Sequence, residues 1–164
     1  MQKIAFIDLE ASGLGPNSWP IEVGWGYPGA APAACLIKPD EAWTLDAWSQ
    51  EAEALHGITS TELIKAGESA PIVCKQLNAA LKGCLVYSNA PDWDGFWLYR
   101  LFSAGKLKQE FDLLDFRLAF DALGVALTPA MFDEANKIAP HIHRAAADVS
   151  HMQAVYRLAQ RAQK

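Results

Sequence analysis

The stretch KIAFIDLE, residues 3 to 10, constrains the fold more than any other. Ile4, Phe6 and their neighbours are apolar at both parities. That pattern marks a strand covered on both faces, and so a central one. Asp8 and Glu10 interrupt it. Residues two apart in a strand point to the same side, so the two carboxylates face one point. Like charges this close repel, and one resists ionising unless a cation sits between them. Mg²⁺ or Mn²⁺ is suited to that place, since both favour oxygen ligands. The alternative is a strand end emerging into solvent, which Phe6, Ile7 and Leu9 disfavour.

Ser-Gly-Leu-Gly-Pro-Asn, 12 to 17, breaks this strand. IEVGWGY (21–27) and AACLIKP (33–39) read as two short strands that can form an antiparallel meander with it. Helical spacing follows. One helix is expected over 45–58, with Leu45, Trp48, Ala52 and Leu55 as its core stripe. STELIKAG (60–67) opens with Ser/Thr and Glu62, a capping-box signature. Residues 70–83 carry Ile72, Val73, Leu77 and Leu81 and end at Gly83. CLVYS (84–88) reads as a buried strand. DGFWLYRLFSAGK (94–106) is helical, with Phe96, Trp97, Leu101 and Phe102 on one side. FDLLDF (111–116) reads as a short strand feeding the helix RLAFDALG. Residues 128 to 140 show no clear pattern. Residues 143–164 form a terminal helix with Val149, Met152, Val155, Tyr156 and Ala159 as its stripe. Three strands, then helices alternating with strands, predict an α/β domain with a mixed sheet and helices on its faces. The 164 residues fit one domain, 1–164, with a substantial core.

The formal charge of −5 argues against a broad grip on duplex DNA, which needs a basic face. It leaves room for a short single strand held where cations neutralise carboxylates. No apolar run reaches the roughly 18 to 20 residues of a membrane span. The leading MQKIAFIDLE is a poor signal peptide, because its short apolar stretch is interrupted by Asp8. Together these suggest a cytoplasmic protein. Cys35, Cys74 and Cys84 are isolated and odd in number, so they read as buried small hydrophobes rather than a disulfide or zinc framework. Arg157, Arg161 and Lys164 read as a solvated face suited to a helix C-terminus, with strand contact as the alternative. Trp19, Trp25, Trp43 and Trp48 could stack on bases, yet most tryptophans are core or partly buried.

Two further places carry acids. In SNAPDWDGFWLYRL, 88 to 101, a buried strand ends at Ser88-Asn89 and a helix begins after Pro91. Asp92 reads as an ordinary cap or dipole partner. Asp94 has Trp97, Leu98 and Leu101 at i+3, i+4 and i+7, which puts it on or beside the inward side. The C-terminal end of a buried strand is where α/β folds place their sites. In HRAAADV, 143 to 149, His143 and Asp148 would project about 140° apart on a helix. They need not touch, but both could border one site if the helix begins there. A histidine is suited to take a proton from water. The alternative is a surface pair.

Taken together, these segments resemble the DnaQ-like, or DEDDh, 3′–5′ exonucleases. The first motif of that family is acid-x-acid in an opening strand, then Ser/Thr-Gly; here it is Asp8-Leu9-Glu10-Ala11-Ser12-Gly13-Leu14. The second is Asn-Ala, an aromatic-Asp pair and a hydrophobic pair; here Asn89-Ala90 leads to Trp93-Asp94 and Trp97-Leu98. The third is His, four residues, Asp; here His143 to Asp148. A His-Gly-Ile-Thr turn, common in the family, stands at His56 to Thr59. The resemblance spans residues 4 to about 158. Two departures stand out. Ser88 replaces the usual His before Asn, and Pro91-Asp92 precede Trp93, which leaves Asp92 as a rival to Asp94. His141 lies beside His143, but only His143 has the family's distance to Asp148.

The resemblance implies a ribonuclease-H-like fold: a mixed five-stranded sheet, a three-strand meander plus parallel strands, flanked by helices. It implies that Asp8, Glu10, Asp94 and Asp148 bind two divalent cations, Mg²⁺ or Mn²⁺, with His143 as general base. Ser12, Gly13 and Leu14 would hold the terminal nucleotide, with His56 and Asn89 also binding substrate. The implied activity releases nucleoside 5′-monophosphates from the 3′ ends of single-stranded DNA or RNA. The competing reading is a catalytically silent or partner-dependent nucleic-acid-binding domain. A silent copy has no need of the full acid and histidine set.

Overall fold

The computed structural model of the protein describes residues 3–163. Met1 and Gln2, from the segment weighed as a signal peptide, and Lys164, from the basic group, lie outside them. The strands are β1 (Lys3–Ala11), β2 (Pro20–Gly26), β3 (Ala33–Leu36), β4 (Cys84–Ser88) and β5 (Leu113–Asp115). The helices are α1 (Gln50–His56), α2 (Ser60–Ala66), α3 (Ala70–Leu81), α4 (Pro91–Gly105), α5 (Arg117–Asp121), α6 (Pro129–Ile138) and α7 (Ala145–Ala162). The sheet runs β3-β2-β1-β4-β5. The first three strands form an antiparallel meander, and β4 and β5 add in parallel.

β1 is central because both of its faces are covered. Ala5, Ile7, Leu9 and Ala11 join one hydrophobic cluster with Val73 and Leu77 of α3 and Trp97 and Leu101 of α4. Phe6 joins the other, with Tyr87, Phe116 and the α7 residues Val149, Met152, Val155, Tyr156 and Ala159. Phe6 meets Phe116 edge-on at 5.6 Å and Tyr156 at 5.5 Å, favourable geometry for aromatic rings. Asp8 and Glu10 share the parity of Phe6, so they lie on the α7 face.

The expected helix over 45–58 is broken. A 3₁₀ turn at Leu45–Ala47 is followed by α1. The break falls at Trp48-Ser49. Ser49 N–H donates to the Ser12 carbonyl at 2.7 Å, and Ser49 Oγ accepts the Ala52 N–H at 3.2 Å. Pinned this way, the helical period restarts at Ser49. The predicted core stripe fails accordingly: Leu45 and Leu55 are exposed, at 66% and 61%. The helix α6 occupies the 128–140 region read as unpatterned; of its residues Ala135 is fully buried and Met131 packs partly buried against the α7 cluster.

The tryptophans considered as base platforms belong to the core. Trp19 is fully buried and stacks on Trp43 at 5.6 Å, with Trp48 tilted against it. Trp25 is half-buried against the same cluster. Cys74 and Cys84 are buried, Cys35 is half-buried, and all three are free thiols. Arg157 and Arg161 are exposed. They lie roughly 14 and 20 Å along α7 from Asp148, at 1.5 Å per residue. No helix among the described residues is long and apolar enough to cross a membrane.

The start of α7 approaches β2 more closely than a side chain permits. A Cβ on Gly24 would lie 2.6 Å from the Ala145 carbonyl carbon and 2.7 Å from its oxygen. Gly24→Ala should therefore push the helix start off the sheet and cost about 1–3 kcal/mol, as overpacking does. Urea denaturation measures this; an unchanged midpoint would mean that the helix start yields freely.

Candidate active site

The site forms where β4 stops accompanying β1. Their parallel pairing ends at Phe6↔Tyr87, before Asp8 is reached. Beyond Ser88 the chain turns at Asn89-Ala90 into α4, whose first turn carries Asp94. Asp94 is buried and faces the uncovered edge of β1. Ser88 Oγ donates to Asp94 Oδ2, and the Leu9 backbone N–H also favours its charged form. Ser88 thus orients this carboxylate. From the other face, α7 brings in Asp148, one turn inside the helix. The Ile142 N–H donates to Asp148 Oδ1 at 3.0 Å, and His141 Nε2 lies 3.2 Å from Asp148 Oδ2.

One cavity of about 380 Å³ collects nearly all the expected residues. Asp8, Glu10, Asp94, Asp148 and His143 line it, as do Gly13, Leu14, His56 and Asn89. Ser12 does not. It is buried, and its N–H, Oγ and carbonyl are engaged by Trp19 and Ser49, so it holds the loop together. Asp92 is exposed and borders a neighbouring groove with Asp115 and Arg117. Of the two rivals, Asp94 is therefore the one among the acids.

His143 differs from expectation in its placement. Helix α7 begins at Ala145, so His143 precedes it in a left-handed backbone conformation, φ 57°. The helical projection of His143 against Asp148 does not apply. The imidazole paired with Asp148 is that of His141 instead. The two rings meet edge-on at 4.8 Å.

The electrostatics are those of crowded acids. Oxygens of Asp8, Glu10 and Asp148 lie within 4.8 Å of one another. Burial first, then Asp94, Glu10 and Asp148, pushes the Asp8 carboxyl well above the usual range. Burial, then Asp148 and Glu22, pushes Glu10 to about 8. Burial raises Asp94 to about 7 against its two hydrogen bonds. Asp8 Oδ2 is buried without any hydrogen-bond partner. An orphaned carboxylate oxygen among other acids is a donor set for hard divalent cations, so the residues fit Mg²⁺ or Mn²⁺. Burial lowers His141 and His56, which keeps both imidazoles neutral near pH 7; Asp148 opposes this at His141, and Glu53 and the Ala11 carbonyl oppose it at His56. His56 Nδ1 accepts the Ile58 N–H at 3.0 Å, which puts its proton on Nε2, a buried atom without a hydrogen-bond partner.

Several contributors were not legible in the sequence. Glu22 stands directly across from Glu10 in the β1–β2 pair. Like charges so placed are destabilising. Arg144 offsets this with Nε and Nη2 bonds to Glu22 at 2.9 to 3.3 Å, joined by the Ala145 N–H at 2.9 Å. The acid on β2 thereby fixes the start of α7, and with it the depth of Asp148. This link spans more than a hundred residues and has no local signal. Trp93 was noted only as a motif residue. It is partly exposed, lines the cavity and stacks on Trp97 at 5.3 Å.

The raised carboxyls bind protons more tightly folded than unfolded, so the folded chain carries the extra protons up to about pH 8. Their stabilising contribution is full at low pH and is lost as pH rises. The metal-free chain should thus lose melting temperature from about pH 4.5 to about pH 8. Mg²⁺ or Mn²⁺ at the alkaline end should restore it. Thermal melts across pH check this; a melting temperature that rises over that window, or ignores both cations, would contradict it.

No protein-family model and no curated protein matches the sequence. Solved structures do. E. coli Exonuclease I in complex with a dT13 oligonucleotide superposes with a TM-score of 0.68 at 16% identity, over 96% of this chain and 41% of that one. Exonuclease I from the moderately thermophilic Methylocaldum szegediense gives 0.68 at 18% identity, over 98% and 41%. The zinc-bound form of the E. coli Exonuclease I–single-stranded DNA complex gives 0.66 at 16%, over 98% and 40%. The chain thus spans about two-fifths of the length of these enzymes. Likeness at this identity concerns architecture: the chain has a ribonuclease-H-like fold, with its mixed five-stranded sheet shared with these structures.

Proposed function

We propose that residues 1–164 form one nuclease domain, a metal-dependent 3′–5′ exonuclease acting on single-stranded DNA or RNA. The observation that carries this is the convergence of Asp8, Glu10, Asp94 and Asp148 on one cavity that also holds His143 and the orphaned Asp8 Oδ2. Structural neighbours solved with oligonucleotides support the substrate class. The three free cysteines suit a reducing compartment, and we place the activity in the cytoplasm.

The four carboxylates would hold two divalent cations, which supply a hydroxide source at neutral pH and charge stabilisation for the leaving 3′ oxygen. His143 takes the proton of the attacking water as general base. Ser88 keeps Asp94 turned toward the acids, and the Ile142 N–H and His141 hold Asp148. Leu14, Leu55 and Trp93 give the cavity an apolar rim on which a terminal base can pack. Asn89 is a donor for sugar or phosphate oxygens, and the His56 ring and the Gly13 backbone line the cavity alongside it. Nucleoside 5′-monophosphates leave one at a time.

The test uses 5′-labelled single-stranded DNA and RNA of equal sequence, with Mg²⁺ or Mn²⁺, on denaturing gels. The wild-type chain should give a metal-dependent ladder shortening from the 3′ end. Asp8→Ala should abolish it while the protein stays folded. His143→Ala should slow it by about 10² to 10⁴, the usual worth of a general base. Full activity in Asp8→Ala would overturn the site, and an unchanged pH–rate profile in His143→Ala would remove its role as base.

A further inference from the structure

His141 stands outside the three motifs, yet its ring occupies the centre of a second donor cluster. A ring nitrogen of His141, a ring nitrogen of His143 and a carboxylate oxygen of Asp148 lie within 4.8 Å of one another. Two imidazoles, which are borderline donors, and one harder carboxylate make a set that catalytic zinc sites use with the fourth position open. The spacing is also suitable. Zinc–nitrogen and zinc–oxygen bonds of about 2.0 to 2.2 Å in a tetrahedral shell set neighbouring ligand atoms about 3.3 to 3.6 Å apart. His141 Nε2 and Asp148 Oδ2 are 3.2 Å apart already.

The cluster is held in place by its surroundings. The His141 N–H donates to Asn136 Oδ1, and the Ile142 N–H donates to Asp148 Oδ1. His151 packs edge-on against the His141 ring at 5.9 Å and is itself bonded through Nδ1 to the Ala139 carbonyl at 2.9 Å. His143 sits at φ 57°, a conformation uncommon for a residue with a side chain and kept only where the surroundings impose it.

We infer that His141, His143 and Asp148 form a Zn²⁺ site that overlaps the nuclease centre and switches it off when filled. The overlap is chemical. Zinc on His143 occupies the lone pair that would accept the proton of water, and zinc on Asp148 takes a carboxylate shared with Asp8 and Glu10. A hard cation gains little from the imidazoles, so Mg²⁺ leaves them free. The metal site stands on the donor geometry alone; its inhibitory consequence rests on the exonuclease reading above.

The experiment measures Zn²⁺ binding to the full metal-free chain by competition with a chromophoric chelator, and Co²⁺ binding by its visible absorption. The wild type should bind one Zn²⁺ at this cluster. His141→Ala and His143→Ala should each weaken it by more than the about 10- to 100-fold that loss of a second-shell partner costs. The Mg²⁺-dependent rise in melting temperature should persist in His141→Ala, which also reports that the variant is folded. On the nuclease assay, Zn²⁺ added over Mg²⁺ should stop wild-type cleavage, and chelation should restore it. In His141→Ala, more Zn²⁺ should be needed to halve whatever rate remains. Zinc affinity unchanged in both histidine variants but lost in Asp8→Ala would overturn the proposal, since the ion would then sit among the acids. Histidine-dependent zinc binding in a chain that cuts neither DNA nor RNA would sustain the metal site and overturn the inhibition together with the exonuclease reading.

Discussion

Mutual repulsion among buried carboxylates is the constraint around which the rest of this structure is arranged. Asp8, Asp94 and Asp148 are almost fully buried, Glu10 is partly so, and Glu22 stands across the strand pair from Glu10. Isolated buried charge is expensive, and several together compound the cost. The fold answers each acid differently. Ser88 and the Leu9 N–H hold Asp94, the 141–142 segment holds Asp148, and Arg144 with the helix start neutralises Glu22. Asp8 Oδ2 receives no such partner, and Glu10 has only the partial relief of the Arg144 charge. What remains uncompensated is therefore concentrated at the two residues on the central strand, where a cation would touch both.

The same arrangement explains why the elements meet as they do. Parallel pairing of β1 with β4 must end early, or the edge of β1 that admits Asp94 would be covered. Gly24 must lack a side chain, or α7 could not begin low enough to bring Asp148 beside Glu10. Arg144 then serves two ends at once: it relieves the Glu10–Glu22 opposition and clamps the helix start to the sheet. Stability and function draw on the same few contacts here, so the site cannot be loosened without loosening the join of α7 to the sheet.

Much of this was legible in the sequence, and the parts that were not share a cause. The strands β1, β2 and β4 and the helices α3, α4 and α7 declare themselves because each buries a local apolar pattern of the right period, and the acid pair at Asp8 and Glu10 is visible within one strand. Asp94 could be preferred over Asp92 because Trp97, Leu98 and Leu101 fix the inward face of α4. Where tertiary contacts override local pattern, the sequence misleads. The Ser12–Ser49 bond breaks the helix expected over 45–58, and Leu55, read as core, faces the cavity instead. Ser12, read as a substrate contact, is engaged inside the protein. His143 and Asp148 border one cavity, but the chain turns at His143 before the helix starts, and His141, which the motif spacing passed over, pairs with Asp148. The Glu22–Arg144 pair joins residues far apart in the chain and leaves no local trace.

The loop that carries Gly13 and Leu14 is tied at both ends. Ser12 is bonded to Trp19 and Ser49, and Trp97 Nε1 on α4 donates to Ser18 Oγ at 3.0 Å. This side of the cavity rim is thus stitched to two helices, the arrangement of a fixed slot rather than a flap. A rigid slot cannot prise a paired end apart by closing on it. If the proposed exonuclease function holds, a strand end would have to be loose already to enter, so the breathing of the nucleic acid itself, and not a motion of the protein, would set how often a paired terminus is admitted. On that reading, discrimination between frayed and firmly paired ends would be a mechanical property of the loop, set by the bonds that tie Ser12 and Ser18 to Trp19, Ser49 and Trp97.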